Sequence, residues 1–109
     1  MRRGEIWWAN PPSPWGRRPV LLIARDRAYA LLTWVMVAPI TTTLRRLPTV
    51  VHLYPRADGV EKQSVVLLDN IMTIRVERLE QFIATLGAER MQEVDAAIRY
   101  ALGLNGDAP

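Results

Sequence analysis

The sequence has no cysteine and a single histidine, and thirteen of its fourteen basic residues are arginine. Without cysteine there is no disulfide framework, no thiolate metal site and no cysteine nucleophile. With His52 alone, a two-histidine ribonuclease mechanism and a histidine-rich metal centre are both excluded. There is no Walker-type glycine loop and no HExxH, and no set of carboxylates is grouped as a Mg²⁺ site requires. No apolar run approaches the roughly 20 residues of a membrane span. The opening MRRGEIWWANPP carries charge but not the apolar stretch of a secretory leader. These absences predict a cytoplasmic protein with no membrane partner, no metal and no cofactor.

What the sequence does have is positive charge, unevenly spread. Residues 1–56 carry nine arginines against Glu5 and Asp26, a balance of +7. Residues 57–109 carry five basic groups against nine acids, a balance of −4, which sums to the net +3. A basic half in a chain of pI ≈ 10.0 points to a polyanion, with nucleic acid the first candidate. Arginine-rich codon usage is the alternative that composition leaves open.

At 109 residues the chain fits one domain, expected over 1–104 with a frayed tail at 105–109. EIWWAN, 5–10, reads as a first strand, stopped by the proline- and glycine-rich PPSPWG. Pro19 opens a second strand over 20–25, where a proline is tolerated. TWVMVAPI (33–40), TVVHLY (49–54), SVVLLD (64–69) and EQFIATL (80–86) read as four more, with RADG as a turn. The C-terminal segment changes period: Met91, Val94, Ile98, Ala101 and Leu102 form a helical stripe, with Gly103 as the stop. Short strands, turns and one last helix predict a mainly β fold, a small, partly open antiparallel barrel with a C-terminal helix.

The chemistry left is arginine plus hydroxyl. Arg17 and Arg18 precede the second strand, and Thr41, Thr42 and Thr43 follow the third. The two sets meet only if these strands run antiparallel, as the short 25–33 connection favours. A guanidinium fork suits phosphate oxygens, and a threonine adds a neutral donor. Together they fit a phosphodiester and the charge that builds up in its transition state. His52 reads as a half-exposed strand residue, and Asp58 and Glu61 as solvated loop charge. Trp7, Trp8 and Trp34 read as core, with a dimer interface as the alternative.

Six segments, RRGEIWWA, GRRPVLLIARD, VMVAPITTT, LPTVVHL, SVVLLDNIMTI and ERMQEVDAAIRYALGL, occur in order over residues 2–104. In that order and spacing the chain resembles the MazF/PemK-type toxins of bacterial toxin–antitoxin systems. The resemblance implies an SH3-like, PemK-like barrel, a homodimer, and a sequence-specific, metal-independent endoribonuclease acting on single-stranded RNA. It also implies an inhibitory acidic antitoxin. By position it assigns catalysis to Arg18, directly before the proline, and to Thr41, which ends the I-T strand. Arg17, Trp15, Thr42, Arg45 and Asn70 become the RNA-binding set. The implied reaction is attack of a ribose 2′-OH on its neighbouring phosphate, leaving a 2′,3′-cyclic phosphate and a 5′-OH. Two departures stand out: Trp15 in a short first loop where many relatives carry a Glu-Gln pair, and Asn70 with Met72 where many carry a Gln and a basic residue. A second reading is a barrel without catalysis that binds RNA, an antitoxin or DNA gyrase. Retention of Arg18 and Thr41 favours the enzyme.

Overall fold

The computed structural model describes residues 1–12 and 14–104. The expected frayed tail, 105–109, lies outside the described residues. Within them the order is β1 (Glu5–Ala9), β2 (Arg18–Leu22), α1 (Ala28–Leu31), β3 (Trp34–Thr41), β4 (Val50–Leu53), α2 (Pro55–Asp58), β5 (Ser64–Leu67), β6 (Met72–Arg75), β7 (Leu79–Thr85) and α3 (Ala88–Leu102). Among the described residues the seven strands form one open antiparallel sheet, ordered β4-β5-β3-β2-β1-β7, with β6 also on β3.

The central strand is β3. Its first half pairs with β6, Val37 facing Met72, and its end pairs with β5, Ile40 facing Val66. A 3₁₀ turn at Leu68–Asn70 takes up the extra residues between β5 and β6. β5 and β6 thus follow one another along the same side of β3.

Side-chain alternation explains why the run after Pro19 is continuously apolar. Leu21 and Ile23 join one core with Ile6, Ile40, Val66 and, from α3, Val94 and Ala97. Val20 and Leu22 join a second core on the other face with Val35, Val37 and Ile74, closed by Ala28 and Tyr29 of α1. Each fully buried Val, Leu or Ile contributes about 1.5–3 kcal/mol.

Several elements differ from the sequence expectation. β6 was not anticipated, because the LDN turn breaks the apolar run ahead of it. The RADG turn is α2, a single helical turn with Pro55 at its start. Gly59 ends α2 at φ +75°, and a Cβ there would stand 2.9 Å from the Ala84 Cβ. Asp58 is not solvated: it is 4% exposed, accepts the Tyr54 N–H at 2.8 Å and pairs with Arg90 at 3.0 Å. The α3 stripe holds at Met91, Val94 and Ile98, but Leu102, its last residue, is 61% exposed. Trp34 is exposed as well and belongs to neither core. Gly103 ends α3 as expected, left-handed, with the Leu104 N–H on the Arg99 carbonyl at 2.9 Å. No helix among the described residues is long and apolar enough to cross a membrane.

Candidate active site

The loop before β2 sets the first half of the site. Trp15 N–H donates to the Pro12 carbonyl at 3.4 Å, and Gly16 follows at φ +69°, a left-handed position suited to glycine. The chain thereby turns so that the Trp15 carbonyl accepts the Arg18 Nε–H at 2.9 Å. The Arg18 guanidinium carbon stands 5.1 Å from the Trp15 ring centroid.

Its neighbour is held differently. Arg17 donates its Nε–H to Glu80 on β7 at 3.0 Å and lies 4.5 Å from the Trp8 ring centroid. Arg17 is therefore an exposed cation already paired with an acid. Among the described residues, no ion pair involves Arg18. A guanidinium bonded only to a neutral carbonyl keeps its charge available to an anion.

The second half of the site is the end of β3. β2 and β3 are antiparallel, as the arginine–threonine reading required, with Val20 facing Pro39. The pairing runs from Leu22 and Val37 to Val20 and Pro39, and Arg18 and Thr41 lie just beyond it at the same end of the two strands. The Thr41 Oγ1 accepts the Thr43 N–H at 3.2 Å, which fixes the hydroxyl and leaves its proton to donate elsewhere.

Thr41 lines a groove of about 300 Å³. Ile6, Ile40 and Ile83 line it, together with Trp8, Pro19, Thr41 and Thr42 and one charge of each sign, Glu61 and Lys62. Arg18 is not a lining residue, but its neighbour Pro19 is, facing Trp8 across β1 and β2. Arg45 and Asn70 lie apart from it, on a small cavity of about 40 Å³ where Thr49 donates to Asp69 at 2.6 Å. The seven residues singled out in sequence thus divide into Trp15, Arg17 and Arg18 at the loop, Thr41 and Thr42 at the groove, and Arg45 with Asn70 elsewhere. Trp8 and Lys62 were not among them. Lys62, the single lysine, carried a signal by its rarity; Trp8 carried none until its partner Pro19 was known.

The charge split is partly cancelled within the molecule. Arg3 pairs with Asp95 and Arg17 with Glu80, each joining the basic half to the acidic half. Asp26 accepts the Arg3 N–H at 2.7 Å, which with the charge of Arg2 holds its carboxyl below the usual value. Among the described residues, no group of three His, Cys, Asp or Glu side chains is placed to hold a metal ion.

Comparison with known proteins identifies the family of the fold. Residues 2–102 match the family described as PemK-like, MazF-like toxin of type II toxin–antitoxin system. A Mycobacterium tuberculosis protein named probable endoribonuclease MazF5 is 37% identical over 100 residues, spanning 92% of this chain and 91% of its own. The solved Mycobacterium tuberculosis toxin MazF-mt6 is 38% identical with a TM-score of 0.81, covering 90% of this chain and 95% of its own. A mycobacterial endoribonuclease solved in complex with its cognate antitoxin is 26% identical with a TM-score of 0.85, covering 100% of this chain and 99% of its own.

Proposed function

This chain belongs to the PemK-like, MazF-like toxins of type II toxin–antitoxin systems and is an endoribonuclease of the MazF type; we propose that it cuts single-stranded RNA at short sequences, without a metal, using Arg18 and Thr41. The observation that supports this reading is the antiparallel pairing of β2 and β3, which brings Thr41 and Arg18, an arginine with no acidic partner among the described residues, to the same end of the two strands.

A ribose 2′-oxygen attacks the adjacent phosphorus and releases its proton to solvent. The bond from phosphorus to the 5′-oxygen breaks, and that oxygen takes up a proton. The products are a 2′,3′-cyclic phosphate and a 5′-OH. Charge accumulates on the phosphate oxygens, where the Arg18 fork and the Thr41 O–H stabilise it. Arginine keeps its proton in proteins and acts here through its charge rather than as a base. Thr42, Trp8 and Lys62 line the path of the strand, Arg17 steers it, and Arg45 with Asn70 meets it further along.

A cognate antitoxin is the protein partner, as for the mycobacterial relative solved with its own. An acidic antitoxin suits a toxin of net charge +3. The toxin works as a homodimer.

The test is to incubate the purified protein with labelled single-stranded RNA, with and without EDTA, and identify the ends. Cleavage in EDTA that leaves 5′-OH ends supports the reading. Cleavage lost in EDTA and restored by Mg²⁺, or 5′-phosphate ends, contradicts it. Tight binding without cleavage points to the non-catalytic barrel.

A further inference from the structure

Trp15 touches Arg18 twice, once through its backbone and once through its ring. Its carbonyl takes the Nε–H at 2.9 Å, and its ring centroid is 5.1 Å from the guanidinium carbon. An arginine side chain has many rotamers, and a catalytic one loses effect whenever it turns away from the phosphate. The carbonyl fixes the stem side of the fork and leaves the two terminal nitrogens, the pair that matches two phosphate oxygens, without a hydrogen-bond partner among the described residues. The indole face offers attraction to the cation without cancelling its charge. Arg17 shows the contrast, with Trp8 against its guanidinium but a carboxylate on its Nε.

Building on the proposed role of Arg18, we infer that Trp15 is a positioning residue that holds the Arg18 guanidinium in the orientation that meets the scissile phosphate. The backbone half of this device depends on the turn at Gly16, φ +69°. The side-chain half belongs to the indole. Base stacking on the same ring, the role assigned to Trp15 from sequence, makes a different demand: it acts on RNA affinity and on base identity rather than on the rate of the chemical step.

The two roles separate in a kinetic experiment. Trp15→Leu, Trp15→Phe, Arg18→Lys and the double variant Trp15→Leu/Arg18→Lys are compared with the wild type. Single-turnover cleavage gives the rate, and a fully 2′-O-methylated RNA of the same sequence, which cannot be attacked, gives the affinity. Trp15→Leu is expected to slow cleavage about five- to tenfold, the scale of a lost ring–cation contact and a misplaced group. Its RNA affinity stays within about twofold of wild type, a bound set well below the effect on rate. Trp15→Phe, which keeps an aromatic face, recovers most of the rate. In the Arg18→Lys background, Trp15→Leu adds little, because residues that act as a unit are not additive.

Loss of affinity at unchanged rate overturns the inference and makes Trp15 a base platform. An equal loss of rate with and without Arg18 overturns it too, since Trp15 then acts elsewhere. Wild-type cleavage by Arg18→Lys removes the role of Arg18 and the inference with it, and is distinguishable because it appears without any change at Trp15. Circular dichroism melting of each variant separates these results from unfolding, and Trp15→Phe keeps the test decisive if Trp15→Leu folds poorly.

Discussion

Glu80 takes the Nε–H of Arg17 at 3.0 Å and so holds the guanidinium against Trp8. Both partners are substantially exposed, 49% and 42% at the side chains, so the pair contributes less than about 1 kcal/mol to stability. On the proposed steering role of Arg17, its effect is on charge available to RNA. Glu80→Gln is expected to leave the melting temperature unchanged, tighten binding of single-stranded RNA at low salt, and steepen the salt dependence. The expected change in log–log slope is about 0.7, that of one additional phosphate neutralised on a single strand. Fluorescence anisotropy titrations across salt check this, and an unaltered slope contradicts it.

Thr41→Val keeps the shape of the side chain and removes its hydroxyl. It forfeits the bond from the Thr43 N–H, at a cost of about 1 kcal/mol in stability. It also forfeits the donor proposed for the phosphate, so the cleavage rate is expected to fall about 10²-fold. Thr41→Ser retains the hydroxyl and most of the rate. Single-turnover cleavage with a urea melt on each variant separates the two effects.

Tyr29 lies under the second core, where its hydroxyl accepts the Ala24 N–H at 3.0 Å and donates to the Met36 carbonyl at 2.7 Å. Burial pushes its pKa up from 10.0 to about 12. A pKa raised on folding means that the native state favours the protonated phenol. The stability this supplies is complete below 10 and is lost as pH rises from 10.0 towards about 12. Urea midpoints are therefore expected to fall between about pH 9 and pH 11. Tyr29→Phe should be less stable by about 1–3 kcal/mol at neutral pH, because it strands the buried Ala24 N–H and the part-buried Met36 carbonyl. Its midpoint should fall less over the same alkaline interval, and an equal fall contradicts the assignment.

Asp58 is 3% exposed at the side chain and faces Arg90, whose Nε reaches both carboxylate oxygens at 3.0 and 3.2 Å. The hydrogen bond from Arg90 to Asp58 raises the Arg90 pKa above its ordinary value. Arg90→Met leaves the carboxylate buried without its cation and is expected to cost about 3–5 kcal/mol. Denaturant unfolding measures it. A loss below about 1 kcal/mol, the level of an exposed pair, contradicts the account of this ion pair.

How far the sequence carried depended on whether the determining interaction was local. Pro19 followed by VLLI reads as a strand buried on both faces, and it is one, because alternation and burial are properties of the segment itself. α3 and its stop at Gly103 were legible for the same reason. β6 was not, because MTIR is short and its pairing with β3 is set by a turn that only the folded sheet requires. Asp58 reads as a loop acid until α3, some thirty residues later, delivers Arg90 to it. The order of Arg18 and Thr41 along the chain implied that they share one end of two antiparallel strands, and β2 and β3 do run antiparallel. The difference between Arg17 and Arg18 was invisible: adjacent arginines are alike in sequence, and Glu80, which distinguishes them, lies on β7, far along the chain. Trp15 gave a signal for an aromatic beside the site but not for its bond to Arg18, which depends on the turn at Gly16.

The central claim is that Arg18 stabilises charge in the transition state, and Arg18→Lys tests it most directly. The substitution keeps a cation and removes the planar fork. Single-turnover cleavage is measured beside affinity for the uncleavable 2′-O-methyl RNA, with Arg17→Lys as the control. The account predicts a rate about 10²-fold or more below wild type for Arg18→Lys at nearly unchanged affinity, and a modest change in affinity alone for Arg17→Lys. Wild-type cleavage by Arg18→Lys, or a loss shared equally by the two variants, would contradict it.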